Sequence, residues 1–249
     1  VDVADVDNDG DEDIFHTHYA RETNTLYIND GTAMFDDVTQ ASGLATPSWN
    51  FTSFGTHLFD YDNDGLLDIM TVSGAVTIFS NGSRENLAQT NQLFRNLDGR
   101  QFEDVTEKAS EAFLLEEVSR GAAFGDLDND GDTDVVVFNN SEPSRLLVNQ
   151  VGSDRNWLGL RLVGKATSRD MHGAWVELTQ PTGPTLWRRV HTDGSYASAS
   201  DPRVLFGLAD RPAPATARVS WPSGLVEEFS DLPAGQYTEL KEGTGRALE

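Results

Sequence analysis

Carboxylates recur at a fixed spacing in three short acidic segments of the chain. The pattern Asp-x-Asp-x-Asp-Gly-x-x-Asp begins at Asp5, at Asp60 and at Asp126. If each segment curls at its glycine, the carboxylates at positions 1, 3, 5 and 9 converge on one point. Several anionic oxygen ligands select a hard cation, and a flexible loop favours Ca²⁺ over Mg²⁺. The sequence therefore predicts about three bound Ca²⁺ ions. The predicted side-chain ligands are Asp5, Asp7, Asp9, Asp13, Asp60, Asp62, Asp64, Asp68, Asp126, Asp128, Asp130 and Asp134.

Position 7 of the pattern is expected to contribute a backbone carbonyl. It is occupied by Asp11, Leu66 and Asp132, and leucine offers no side-chain ligand. An EF-hand is excluded, because position 12 is never the glutamate that an EF-hand requires. The alternative is three metal-free turns rich in Asp and Asn. Close carboxylates repel by about 1 kcal/mol per pair even in water, which favours the metal sites.

The acidic segments belong to an internal repeat whose starts lie 55 and 66 residues apart. A second motif, Asn24 to Thr39, recurs 67 residues later as Asn91 to Thr106, and a third copy begins at Leu146. Short runs of β-forming residues follow each acidic segment and flank the hairpin signal at Asn29-Asp-Gly. Four short strands per repeat is typical of a propeller blade.

With these motifs the repeats resemble the FG-GAP/VCBS repeats of integrin-α-type β-propellers. Phe54-Gly55 and Phe124-Gly125 precede two of the loops. The pairing with the Leu-x-x-Asn and Phe-x-Asp-Val-Thr motifs is similar to the cartilage acidic protein family and its bacterial relatives. The resemblance implies that the aspartate loops bind calcium. Such propellers usually have more blades than the two full periods and third loop seen here, so we expect part of a larger propeller.

A different pattern begins near Asn156, where alternating apolar residues predict a compact antiparallel β domain. This region resembles the ASPIC/UnbV domain. The motifs that carry the resemblance are Asn156-Trp-Leu, His172-Gly-Ala, Arg189-Val-His, Gly194-Ser-Tyr, Ser200-Asp-Pro-Arg, Phe206-Gly-Leu and Trp221-Pro-Ser-Gly. The expected architecture is all-β. Residues 1–152 are expected to form the propeller part and residues 153–245 the ASPIC/UnbV-like domain.

Composition narrows the classes of function. The 249 residues include 41 Asp and Glu, 18 Lys and Arg and no cysteine, for a net charge of −23. This charge argues against nucleic acid as a partner, and the lack of cysteine excludes disulfides and thiol catalysis. Residues 1–150 hold 29 acids and 7 bases, whereas residues 151–249 hold 12 and 11. No apolar stretch is long enough to insert into a membrane.

Three groups of residues could suggest other functions. His16 and His18 share a strand face but have no evident third metal ligand. His191, Asp193, Ser195 and Ser200 lie close together in sequence, but a hydrolase motif such as Gly-x-Ser-x-Gly is absent. The tryptophans could stack on sugars, although core packing suits their alternating context better.

The sequence therefore predicts a calcium-binding, non-catalytic extracellular repeat protein that serves as a binding or adhesion scaffold. The expected partner is an unidentified protein or glycan. An extracellular, periplasmic or cell-surface location follows from the supply of calcium, with any signal peptide expected upstream. The alternatives are an enzyme or biosynthetic accessory protein similar to UnbV, or a carbohydrate-binding module.

Overall fold

A computed structural model describes residues 1–76, 87–165, 170–211 and 214–248. It is nearly all β, with blades arranged as a β-propeller, which confirms the predicted fold class. Blade 1 contains β1 (Asp2–Ala4), β2 (Asp13–His16), β3 (Thr25–Asn29) and β4 (Phe35–Asp37). Blade 2 contains β5 (Ser53–Phe59), β6 (Asp68–Ser73), β7 (Gln92–Asn96) and β8 (Phe102–Asp104). Blade 3 contains β9 (Ser119–Gly125), β10 (Asp134–Asn139) and β11 (Arg145–Leu147).

Neighbouring strands within each blade are antiparallel and follow chain order. Two short helices join the blades, α1 (Ala45–Ser48) and α2 (Thr106–Ala109). The residues Glu111–Leu114 and Gly152–Asp154 form 3₁₀ turns.

The Asp-Val-Thr motif closes the outer hairpin of a blade. The hydroxyl of Thr39 accepts a hydrogen bond from the N–H of Leu26 at 3.0 Å, and Thr106 accepts one from Leu93 at 3.0 Å. The aspartate two residues earlier accepts from the threonine N–H in both copies. Asp and Thr side chains readily form such local bonds to nearby backbone groups, so a repeated sequence motif produces a repeated set of backbone contacts.

Two apolar clusters hold the blades face to face. Between blades 1 and 2, Phe15 and Leu26 pack with Ile69 and Phe94. Between blades 2 and 3, other side chains of the same blade 2 strands pack with blade 3; these include Met70, Val72, Leu93, Phe124 and Val137. Since successive residues of a strand point to opposite faces, one strand can serve both interfaces. This explains why β6 is buried along its whole length.

The remaining strands form two sheets around a single apolar core, here called the C-terminal sandwich (residues 156–247). The first sheet contains, in spatial order, β15 (Val204–Ala209), β12 (Asn156–Val163) and β18 (Tyr237–Lys241). The second contains β14 (Leu186–Arg189), β13 (Trp175–Thr179), β16 (Ala215–Ser220), β17 (Val226–Leu232) and β19 (Arg246–Ala247).

One strand pair departs from the expected antiparallel arrangement. Strand β18 pairs with β12 in parallel, with Leu240 opposite Leu162. Parallel pairing requires a long crossover connection, and here the connection passes through the other sheet by β13 and β14, returns for β15, and passes through the other sheet again by β16 and β17. Alternation along a single strand carries no information about the direction of its partner, so the sequence pattern did not reveal this pair.

Candidate metal centres

Each acidic segment forms the loop between the first two strands of its blade. We call these segments loop 1 (Asp5–Asp13), loop 2 (Asp60–Asp68) and loop 3 (Asp126–Asp134). The glycine at position 6 has a φ of 100° in loop 1, 99° in loop 2 and 93° in loop 3. Such values strain any residue with a Cβ, which confirms that the glycine permits the turn. The asparagine at position 4 also has a positive φ in all three loops.

The carboxylates at positions 1, 3 and 9 of each loop meet at one point. In every loop each of the three offers an oxygen within 4.8 Å of the others; the groups are Asp5, Asp7 and Asp13, then Asp60, Asp62 and Asp68, then Asp126, Asp128 and Asp134. All three members are buried in loop 2, whereas Asp7 is half-buried and Asp128 is exposed. The predicted convergence of these nine side chains therefore occurs.

Backbone N–H groups fix two of the three carboxylates in each loop. The position 1 carboxylate accepts from the N–H at position 6: Gly10 to Asp5 at 2.9 Å, Gly65 to Asp60 at 2.7 Å and Gly131 to Asp126 at 3.0 Å. The position 9 carboxylate accepts from the N–H at position 2: Val6 to Asp13 at 2.9 Å, Tyr61 to Asp68 at 3.0 Å and Leu127 to Asp134 at 3.0 Å. These bonds orient the oxygens before any ligand arrives.

Asn29, Asn96 and Asn149 complete this network, and their role was not foreseen. Each donates its backbone N–H to the position 9 aspartate of its own blade, at 2.8, 2.7 and 2.9 Å respectively. The recurrence of this asparagine in all three copies of the Leu-x-x-Asn motif is the signal that could have identified it.

Positions 5 and 7 lie outside the three-carboxylate groups among the described residues. At position 5, Asp9, Asp64 and Asp130 each use Oδ1 to accept the N–H two residues later. Position 7 differs between loops, since Leu66 is apolar while Asp132 is buried and accepts the N–H of Ser153. The role of these positions as ligands stays a prediction.

Burial makes the ionised form of several loop carboxylates unfavourable. It raises the pKa of Asp5 to about 6 and that of Asp13 to about 7, although backbone hydrogen bonds oppose the shift. It also raises the pKa of Asp60 to about 7 against the opposing charge of Arg188, and that of Asp68 well above its usual range. Repulsion from neighbouring aspartates adds to burial at these sites.

Several loop oxygens also lack a partner. Asp7 Oδ1 and Asp126 Oδ1 are buried without a hydrogen bond. A buried acceptor without a donor is costly, and an oxygen-only donor set with raised pKa values is what a hard cation would stabilise. The residues present therefore fit a calcium ion in each loop.

Arginines partly offset the charge of the loops. The Arg95 guanidinium lies 2.9 Å from Asp62 and 3.2 Å from Asp64, and Arg155 lies 3.4 Å from Asp62. Arg100 lies 3.5 Å from Asp7. These arginines come from strands and turns outside the loops, so the loop pattern alone did not identify them.

The candidate catalytic residues form other contacts. The Ser195 hydroxyl accepts from the N–H of Ala122 at 3.4 Å, and Ser200 accepts from Phe124 at 3.2 Å. His191 Nδ1 lies 3.2 Å from Asp193 Oδ1, but neither hydroxyl bonds to His191 within the described part of the chain. The serines thus hold the C-terminal sandwich against blade 3.

The expectation that His16 and His18 share a strand face is wrong, because strand β2 ends at His16 and His18 lies in the loop that follows. The two imidazoles nevertheless contact each other. His16 Nδ1 lies 3.0 Å from His18 Nε2, beside a cleft of about 740 Å³. No cluster of three metal-binding side chains includes them among the described residues. Of the tryptophans, Trp157 and Trp221 are buried, while Trp175 and Trp187 stack with their centroids 6.0 Å apart.

Comparison with known families confirms the two resemblances. Residues 4–71 match the family model described as FG-GAP-like repeat, and residues 164–247 match the model described as ASPIC and UnbV. Residues 4–71 are thus similar to FG-GAP-like repeats, and residues 164–247 are similar to the ASPIC and UnbV domain. Loop 3 lies outside the matched repeat, yet its position 1 and position 9 carboxylates accept the N–H groups of positions 6 and 2 as in loops 1 and 2. It differs at position 5, whose N–H bonds to Asp128 in loop 3 but to the position 1 carboxylate in loops 1 and 2.

No curated protein matches the chain. Among the described residues, no helix is long and apolar enough to cross a membrane.

Proposed function

We propose that this chain is a calcium-stabilised, non-catalytic scaffold that binds a protein or glycan partner outside the cytoplasm. The observation that carries the proposal is the threefold recurrence of one site, with three carboxylates within 4.8 Å of one another. Such a group repels itself unless a cation or protons neutralise it. A single cluster could be incidental, but three copies at equivalent blade positions support a common purpose.

The chain's own residues would hold each ion between the first two strands of a blade. The position 1 and position 9 aspartates are already oriented by backbone N–H groups, and the position 3 aspartate faces them across the loop. Bound Ca²⁺ supplies two positive charges that offset the repulsion. The consequence is a fixed hairpin in each blade, because the ion would bridge carboxylates at both ends of the loop and separating the strands would break that bridge.

A location outside the cytoplasm would provide enough Ca²⁺ to fill such sites. Extracellular calcium modules bind at roughly 10⁻⁴ to 10⁻³ M, a concentration that cytosol does not provide. Val6 of loop 1 and Leu67 of loop 2 pack into the apolar interface between blades, so a scaffold role would use other, exposed loops to contact a partner.

Thermal unfolding with and without chelator tests the calcium claim. At free Ca²⁺ about 100 times Kd, each site adds about 2.7 kcal/mol, or roughly 5–10 °C in Tm for a chain of this size. We expect EGTA to lower Tm, Ca²⁺ to restore it, and Mg²⁺ at equal concentration to restore it less. Isothermal titration calorimetry should give about three ions per chain. An unchanged Tm in EGTA together with no heat of Ca²⁺ binding would contradict the proposal.

A further inference from the structure

The C-terminal sandwich lies directly on the three loops. A Cβ placed on Gly10 of loop 1 would lie 3.4 Å from Trp187 Cε2. On Gly65 of loop 2 it would lie 2.6 Å from Arg211 Nη2, and on Gly131 of loop 3 only 1.9 Å from Trp157 Cε2. The same turn glycine of every loop is therefore covered by a side chain of the sandwich.

Polar contacts connect the sandwich to loops 2 and 3. The N–H of Ala209 donates to the carbonyl of Asn63 at 2.8 Å. Tyr237 Oη donates to Asp126 Oδ2 at 2.9 Å, and Arg203 Nη2 donates to the carbonyl of Asp126 at 2.6 Å. All three contacts involve a loop carbonyl or the Asp126 carboxylate, so they depend on the loop being folded.

Arg188 places a positive charge between loops 1 and 2. Its side chain is buried, and Nη2 lies 3.4 Å from the carbonyl of Gly65. The side-chain amide of Asn8 donates to that same carbonyl at 3.3 Å. A buried guanidinium is tolerated only where negative charge surrounds it, and here both loops supply that charge.

We propose that cation binding by the three loops is coupled to docking of the C-terminal sandwich, so that loss of the ions loosens the sandwich from the propeller. The proposal rests on the calcium binding proposed above. A loop without its ion gains conformational freedom at its glycine turn. These turns are the ones covered by Trp187 in loop 1, Arg211 in loop 2 and Trp157 in loop 3. Thermodynamic linkage makes the effect reciprocal. The factor by which a bound ion favours docking of the sandwich equals the factor by which docking strengthens ion binding.

Hydrogen exchange on the full chain, with Ca²⁺ or with EGTA, measures docking directly. Among the described residues, two backbone bonds cross from the sandwich to the blades, Ala209 N–H to Asn63 and Asp201 N–H to Phe124 at 2.9 Å. We expect peptides that contain these amides to exchange at least tenfold faster in EGTA. Strand β16, whose Ala217 and Val219 lie in the core of the sandwich, serves as the internal control and should change little.

The reciprocal test uses two tryptophans on adjacent strands. Trp187→Ala removes the indole beside Gly10, and Trp175→Ala removes the ring stacked against it. We expect Trp187→Ala to raise the Kd of one Ca²⁺ site at least fivefold by calorimetry. The Trp175→Ala variant should bind Ca²⁺ nearly as the parent chain does, because the indole over the glycine remains.

The outcomes separate the two proposals. Faster exchange of the loops alone, with the crossing amides unchanged, would overturn the coupling and leave calcium binding intact. If hydrogen exchange in the loops is the same in Ca²⁺ and in EGTA, both proposals are contradicted. If EGTA unfolds the whole chain, the calorimetric comparison decides, since equal Kd values for Trp187→Ala and the parent chain would also overturn the coupling.

Discussion

At the scale of single residues, the aspartate at position 9 combines two tasks. Both oxygens of Asp68 accept backbone N–H groups, from Tyr61 and Asn96, and the residue is fully buried. A carboxylate oxygen has a further lone pair beyond one hydrogen bond, so the same group can also bind a cation. Position 9 thus connects the strand pairing of the blade to the charge of the loop.

Replacement of Asp68 by asparagine tests this dual role. The amide keeps the shape of the side chain but loses one negative charge, and its NH₂ faces an N–H that needs an acceptor. We expect Asp68→Asn to bind one ion fewer than the parent chain, measured by calorimetry, and to melt lower in Ca²⁺. The exposed Asp36→Asn variant is the control. An unchanged stoichiometry would remove Asp68 from the ligand set.

The buried imidazole of His191 should make the stability of the protein depend on pH. Burial lowers its pKa, although the Asp2 carboxylate opposes that shift, and His57 and Arg189 add to it. The unfolded chain takes up a proton near pH 6.5, whereas the folded chain resists it. Because the unfolded state then binds more protons, stability contributed by neutral His191 is lost as pH falls below about 7.

The variant His191→Gln should therefore lose less stability than the parent chain between pH 7 and pH 5.5, as measured by urea unfolding at saturating Ca²⁺. The exposed His172→Gln variant should follow the parent chain. Parallel pH profiles for His191→Gln and the parent would contradict this assignment.

At the scale of the elements, Asn96, which ends β7, and Asn149, which lies two residues after β11, tie neighbouring blades together. Asn96 Nδ2 donates to the carbonyl of Val6 in loop 1 at 3.2 Å and to Leu67 at 2.9 Å. Asn149 Nδ2 donates to Tyr61 in loop 2 at 2.8 Å. The amide thus links one blade to a loop of the preceding blade.

Two equivalent asparagines allow a matched test of this link. Asn96→Ala leaves buried carbonyls in two blades without a donor, so we expect a loss of about 2–4 kcal/mol in the free energy of unfolding. Asn29 is half-buried, its Nδ2 donates to the carbonyl of Glu12 in loop 1 of its own blade, and its Oδ1 accepts the N–H of Gly31. Asn29→Ala should therefore cost about 1 kcal/mol. Equal losses by urea unfolding would contradict the interblade role.

Local features of these elements were predictable from the sequence, and long-range ones were not. The strand–loop–strand order, the positive φ of Gly65 and the convergence of three aspartates follow from repeated spacing. The parallel partner of β12 and the position of Trp187 over Gly10 depend on contacts between distant segments. No local pattern in the chain encodes those contacts.

At the scale of the whole molecule, the charge is divided between two unequal parts. Residues 1–150 carry 29 acids and 7 bases, and the sandwich contributes Arg188 and Arg203 to the face on which it meets the loops. The near-neutral region therefore presents cations where the acidic region concentrates its anions. Electrostatic attraction between the two parts adds to the apolar contacts that join them.

This arrangement predicts how the metal-free chain responds to salt. Like-charge repulsion in the acidic part is screened as the Debye length falls from about 30 Å at 0.01 M to about 3 Å at 1 M. We expect NaCl between these limits to raise Tm in EGTA and to raise it less in saturating Ca²⁺. KCl serves as the control for ion-specific effects, and a fall in Tm with salt in EGTA would contradict the expectation.

The unequal burial of the loops has a kinetic consequence. Asp60, Asp62 and Asp68 are all buried, with exposed fractions of 6%, 4% and 0%, whereas Asp128 of loop 3 is exposed. An ion in loop 2 would be more shielded from solvent than an ion in loop 3, so we expect it to leave more slowly. Rapid mixing of the loaded chain with a fluorescent chelator should therefore release ions in at least two phases. The slow phase should account for about one ion of the three. The molecule would then keep one ion bound for some time after the surrounding calcium concentration has dropped.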